Sequence, residues 1–322
     1  MILRSLIVLI ILFVWIWGCL AIFYAGPDSM LLRYGMLLVF IVALPVIFYY
    51  FEHFWLAMVP VSIVFAVFLA WWNTLTSTND KDWAADVANI PYGSIAGDTL
   101  TLHNVRNFSH QSETDFTERW ETRSYDLSQL TSLDLFLSYW GSPHIAHTIL
   151  SWGFANGDYL AVSIETRKDK NQQYSAIKGF FKQYTLAYVA ADERDLIRLR
   201  TNYRKEQVYV YRLKNISKPN IRGFLESYVT HMNKLVDEPE FYHALTRNCT
   251  SAIRLHSETS PDRLPFDWRL VANGHVDKFL YDHGAIRNNI PFAELRTQSR
   301  IDHAMQKQGA SDFSIRLRKK AF

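Results

Sequence analysis

The sequence predicts an α+β protein held at a membrane, in which apolar N-terminal helices precede a soluble domain built from an antiparallel sheet and packed helices. Three observations predict it. Residues 1–80 are dominated by apolar runs of about the ~20 residues that cross a bilayer. Beyond them, several stretches alternate apolar and polar side chains, as half-buried strands do. Later stretches instead repeat their apolar residues at helical spacing.

The apolar runs extend from about Leu6 to Tyr24, Leu31 to Phe51 and Phe54 to Trp72. Arg33 is the single charged residue inside them, and Trp15, Trp17, Tyr49, Tyr50, Trp55, Trp71 and Trp72 lie mostly near their ends. That is the placement of an interfacial aromatic belt. Glu52 and His53 alone separate the second run from the third, which suits an antiparallel hairpin. Two further spans follow the first, so cleavage of a leader there would not release the protein. The basic Arg4 before the first span favours an inside N-terminus, with Arg33 competing. Three crossings from an inside N-terminus put the remainder outside: a multi-pass inner-membrane protein with a periplasmic soluble domain. A polar linker, Asn73 to Asp82, divides a transmembrane region, 1–80, from a soluble domain, 81–322.

Within the soluble domain, Thr99 to Val105 reads as a strand with Leu100, Leu102 and Val105 turned inward. His147 to Phe154 and Tyr159 to Thr166 read as a hairpin, with Asn156-Gly157 supplying the positive φ angles of a two-residue turn. Gln207 to Leu213 is another strand. Asn220 to Leu235 is an amphipathic helix started by Ser217 and Pro219, and Thr246 to His256 is a helix capped by Thr246 or Asn248. The run Asp192-Glu193-Arg194-Asp195, with Arg198, Arg200 and Arg204, reads as a surface ion-pair network, and Arg316, Arg318, Lys319 and Lys320 as a solvated basic tail.

The 34 basic and 31 acidic residues are too balanced for nucleic-acid binding, which normally shows a concentrated basic stripe. The two cysteines, Cys19 in a span and Cys249 in the soluble domain, are not placed to form a disulfide.

Chemistry centres on Cys249 in Leu245-Thr246-Arg247-Asn248-Cys249-Thr250. In the first turn of a helix, and near Arg247, its thiolate would be favoured. The alternative is a small buried hydrophobe. A thiol nucleophile needs a base and a group to orient that base. His144 and His147 supply candidate bases at the start of the hairpin, on opposite faces of an extended strand. The hairpin returns Glu165 beside them as the orienting carboxylate. Alternatively, Glu165 pairs with Arg167 on the surface. A metal shared by His144, His147 and His243 is the weaker possibility, since neither zinc-protease spacing nor a second nearby cysteine is present. No cofactor is expected. Ser163 lacks the glycine elbow of a serine nucleophile.

At these residues the chain resembles a known family. Ser138-Tyr139-Trp140-Gly141-Ser142-Pro143-His144-Ile145-Ala146-His147-Thr148, Ser163-Ile164-Glu165-Thr166-Arg167, Asp192-Glu193-Arg194-Asp195 and Asn248-Cys249-Thr250 together look like the Lnb N-terminal periplasmic domain. The likeness spans about Gly97 to Glu258. It implies a fold similar to circularly permuted papain-like hydrolases, with the histidine before the cysteine. The family's Gly-His-Thr-x-Leu pattern matches Ala146-His147-Thr148-Ile149-Leu150, with alanine for glycine, and so points to His147 rather than His144. Relatives are implicated in N-acylation of bacterial lipoproteins. The resemblance therefore implies thiol-dependent acyl transfer or hydrolysis, with membrane lipid and a lipoprotein or acyl-lipid as partners. The alternative expectation is a tethered binding or assembly domain that keeps the fold without the chemistry.

Overall fold

In the computed structural model, residues 2–256, 265–301 and 313–319 are described. Three long helices open the chain: α1 (Ile2–Ala25), α2 (Met30–Tyr50) and α3 (Phe54–Thr74). Each is long and apolar enough to cross a membrane. Next come β1 (Tyr92–Ala96), β2 (Thr99–Arg106), β3 (Ser109–His110), β4 (Phe116–Thr117), β5 (Trp120–Asp126), β6 (Leu130–Tyr139), β7 (Ala146–Phe154), β8 (Tyr159–Arg167) and β9 (Thr185–Ala191). The remainder is α4 (Glu193–Arg198), β10 (Gln207–Arg212), α5 (Lys218–Asp237), α6 (Cys249–His256), α7 (Val276–Asp282), α8 (Phe292–Ser299) and α9 (Phe313–Arg318).

The chain forms two compact units. The first contains residues 1–78 together with 173–185 and 240–244. Its helices pack through aromatic side chains: Trp15 stacks on Phe40, and its indole N–H donates to the Phe40 carbonyl at 2.9 Å. Such side-chain bonds tie helices together where lipid gives no hydrophobic drive. Tyr24 stacks on Phe181, and the Lys182 ammonium lies 4.8 Å from the Trp72 ring and donates to the Trp72 carbonyl. Arg33, in the first turn of α2, donates to the Pro27 carbonyl at 2.9 Å.

The second unit holds the greater part of an eight-stranded sheet in the order β1-β2-β9-β8-β7-β6-β10, with β5 also paired to β2. Pairing is antiparallel at β1–β2, β2–β5, β6–β7, β7–β8 and β6–β10. It is parallel where Arg106 of β2 meets Ala191 of β9, so the sheet is mixed. Both faces are buried. On one, Phe136, Ile149, Ala161, Val208 and Val210 pack with Leu196 and Ile197 of α4 and Phe313 and Leu317 of α9. On the other, Trp152 packs edge-on against Tyr228 of α5 and donates to the Ile221 carbonyl.

Several expectations hold to the residue. Leu100, Leu102 and Val105 are fully buried, and Ser217 caps α5 by accepting from the Asn220 amide. The hairpin turn differs. Only Gly157 has a positive φ (89°), and its amide donates to the Phe154 carbonyl at 3.0 Å while Phe154 donates to the Asp158 carbonyl. This is a three-residue loop, a turn followed by one left-handed glycine, and Asn156 keeps an ordinary negative φ.

Two charged segments are interior rather than solvated. Glu193 and Asp195 are 0 % exposed and Arg200 is 4 % exposed. Asp195 accepts from both Arg106 Nε (2.8 Å) and Arg106 Nη2 (3.1 Å), as well as from the Phe108 amide. At the tail, Arg318 donates to Asp134 at 2.7 Å and to Glu193 at 2.6 Å. Burial forces these groups to pair, because an unpaired charge in the interior is far costlier than one in water. Lys320 lies outside the described residues.

Candidate active site

The antiparallel register builds the site. Ser138 of β6 pairs with His147 of β7, and β7 pairs with β8 from Gly153–Tyr159 to Ile149–Ser163. Continued two residues further, that register sets Glu165 opposite His147. Side chains repeat their face every second residue, so Ser163 and Glu165 project on the same side as His147. His147 Nε2 lies 2.6 Å from Ser163 Oγ and 3.2 Å from Glu165 Oε1. Ser163 in turn donates to Glu165 Oε1 at 2.6 Å, and Arg200 Nη2 donates to the same oxygen at 2.7 Å. Nε2 is thereby engaged, which leaves Nδ1 for the thiol.

Cys249 opens α6. Asn248 Oδ1 accepts from the amides of Thr250 and Ser251, both at 2.9 Å, so the cap is Asn248 rather than Thr246. The Cys249 amide is not taken by that cap. The sulfur has Asn273 Nδ2 at 3.9 Å and Thr250 Oγ1 at 4.0 Å, and His147 and Thr148 at the start of β7 lie near enough to act on its ionisation. The imidazole and the thiol are thus neighbours although about a hundred residues separate them in sequence.

Their electrostatics are coupled. Burial pushes the His147 imidazole down, but the Glu165 charge together with hydrogen bonding to Cys249 and Glu165 outweighs it and the group is raised to about 9, against opposition from Arg200. Burial pushes the Cys249 thiol up, but hydrogen bonding to His147, the imidazolium charge and Thr148 together bring it down to about 7. Glu165, despite burial, is held well below the usual carboxylate range by His147 and Arg200.

A second segment aims the strand. Asn273 Nδ2 donates to the Ala146 carbonyl at 2.6 Å and to Thr250 Oγ1 at 2.7 Å, while its Oδ1 accepts from the Ala146 amide. One side chain therefore ties the start of β7 to the first turn of α6. Gly274 is required beside it, since a Cβ there would sit 2.3 Å from the Pro143 carbonyl oxygen.

His144 goes elsewhere: its Nδ1 lies 2.9 Å from His275 Nε2. His144 and His147 therefore have different side-chain partners, His275 for the first and Ser163 with Glu165 for the second. Arg167 does not pair with Glu165 on the surface. It is buried, donates to the carbonyls of Val87 and Ala88, and stacks over Trp83. Ser163 is fully buried and bonded on both sides, a bridge rather than an approachable nucleophile.

Arg200 and Asn273 had no sequence signal as site residues, and Thr148 had one only as a member of the motif that holds His147. Ser163 did have one, because it shares the two-residue alternation of Glu165 along β8.

Residues 116–274 match the family model described as the Lnb N-terminal periplasmic domain, a stretch that holds every residue of this cluster. The chain carries an Lnb N-terminal periplasmic domain. It joins that Lnb domain to three candidate membrane helices. No curated protein and no solved structure matches the chain. The match ends at Gly274, so the Asn273–Gly274 clamp lies at the last matched residues of the Lnb domain.

Proposed function

We propose that this Lnb-domain protein is a membrane-anchored cysteine acyltransferase or hydrolase acting on lipid-linked substrates, lipoprotein or phospholipid, at the periplasmic face of the inner membrane. One observation carries the reading: Cys249, His147 and Glu165 are brought into a chain of contacts at the end of the sheet where β7 begins. A thiol, an imidazole and an orienting carboxylate are the parts of a nucleophilic thiol site.

The Cys249 thiolate attacks an ester carbonyl, forming the S–C bond. The Cys249 amide at the start of α6 stabilises the oxyanion. As the intermediate collapses, the C–O bond breaks and the leaving alkoxide takes the proton from His147. An amine or a water then attacks the thioester, gives its proton to His147 and releases the thiolate. Glu165, fixed by Arg200 and Ser163, holds the imidazole through both steps. Acyl transfer and hydrolysis differ only in that second nucleophile.

The test is intact-mass analysis of the full chain in detergent after exposure to an acylating thiol probe. The wild type should gain one acyl group. Cys249→Ser should gain none, and His147→Ala should acylate about 100-fold or more slowly, the usual loss on removing a general base. Labelling indifferent to His147 would leave a tethered binding domain as the better description.

A further inference from the structure

Between the β6–β7 face of the sheet and helices α5, α6 and α7 lies a cavity of about 330 Å³. Leu135, Leu150, Phe224, Ile253, Val276 and Phe279 are among the residues that line it. Of its polar lining, Lys214, Asn215 and His283 are exposed and mark the outer rim, Asn220 and Arg254 are half-buried, and Thr148 and Thr250 are buried and mark the inner end. Those two threonines flank the sulfur: Thr250 Oγ1 is 4.0 Å from Cys249 Sγ, and Thr148 lies near enough to act on its ionisation. The cavity therefore runs from the surface to within one side chain of the nucleophile.

We infer that this cavity is the subsite for a fatty acyl chain carried on Cys249, an inference that rests on the thiol-ester reading above. The lining decides the occupant. A peptide laid along leucines, isoleucine and phenylalanines would leave its own N–H and C=O groups without partners. A hydrocarbon chain has none to satisfy. The volume falls in the lower part of the range of small-molecule sites and suits a single chain better than a folded ligand. An acyl carbon bonded to Sγ would have its tail directed past Thr148 and Thr250, and the Thr250 hydroxyl is occupied in accepting from Asn273.

Acylation of the full chain by p-nitrophenyl esters from acetyl to decanoyl tests the inference. The wild-type rate should rise about fourfold for each added methylene, the gain from burying one CH₂ group, and level off when the cavity is filled. Ile253→Trp should abolish that rise with chain length. A wild-type rate flat with length, or an unchanged slope in Ile253→Trp, overturns the assignment.

A second measurement needs no turnover. Cys249→Ser is irradiated with dodecanoate bearing a terminal diazirine, and the crosslinks are mapped. Adducts on β7, α5 and α7 support the subsite, and adducts confined to residues 2–74 refute it. If no ester acylates Cys249, the catalytic reading falls, while photolabelling still decides the cavity. Supplying phosphatidylethanolamine and a diacylglyceryl lipopeptide with chains of different length then names the donor from the adduct mass.

Discussion

A buried thiol on its own is harder to ionise than a free one, and Cys249 is only 7 % exposed. What reverses the sign is the imidazole beside it, and the imidazole is charged because the Glu165 carboxylate and the thiol together outweigh its burial. The pair should therefore be thiolate and imidazolium between about pH 7 and about pH 9. Below that window the thiol gains its proton, and above it the imidazole loses one. Iodoacetamide alkylation of Cys249 should accordingly rise with pH through a midpoint near 7. Glu165→Gln removes the charge that sustains the imidazolium, so burial should pull His147 down and the midpoint should climb toward ~8.5, the value of a free thiol. A midpoint that stays put in Glu165→Gln would remove Glu165 from the positioning role.

At the scale of elements, the antiparallel hairpin β7–β8 does most of the assembly, because its register alone sets Ser163 and Glu165 against His147. Helix α6 brings the sulfur, and Asn273 joins it to β7. Helix α9 has a different task. Arg318 bridges Asp134 on β6 and Glu193 at the start of α4, and its guanidinium lies 3.7 Å from the Tyr159 ring on β8. Ser151 on β7 also donates to Glu193. Removing one partner of a buried ion cluster leaves the others uncompensated, at a cost of about 3–5 kcal/mol. Arg318→Ala should lower the unfolding free energy of the soluble unit by that amount, read by urea titration. A change under about 0.5 kcal/mol, as expected of a solvated tail, would contradict the buried bridge.

For the whole molecule, the question is which side of the membrane the site faces. The three candidate spans and the basic Arg4 at the start of the first of them argue for a cytoplasmic N-terminus and an external soluble domain. A family described as periplasmic agrees with that orientation. Alkaline phosphatase fused to the C-terminus should be active in cells, since it folds only outside the cytoplasm. An inactive fusion, with a cytoplasmic reporter active in its place, would reverse the orientation and withdraw lipoprotein from the candidate substrates.

Read alone, the sequence determined those features that depend on neighbours along the chain. The spans were legible because twenty apolar residues have no soluble alternative. The strand Thr99–Arg106, the helix α5 and its Ser217 cap were legible because face periodicity and capping are local. Cys249, His147 and Glu165 were legible as types of residue at suggestive positions, helped by a family pattern. Tertiary structure alone decided what depended on burial. Charge spacing reads the same on a surface as in a core, so nothing local told that Asp195, Glu193, Arg200 and Arg318 are interior. Nor could spacing reveal that Asn273 clamps Ala146 to Thr250, or that an apolar cavity ends at Thr148, since those contacts join segments that only the folded sheet brings together.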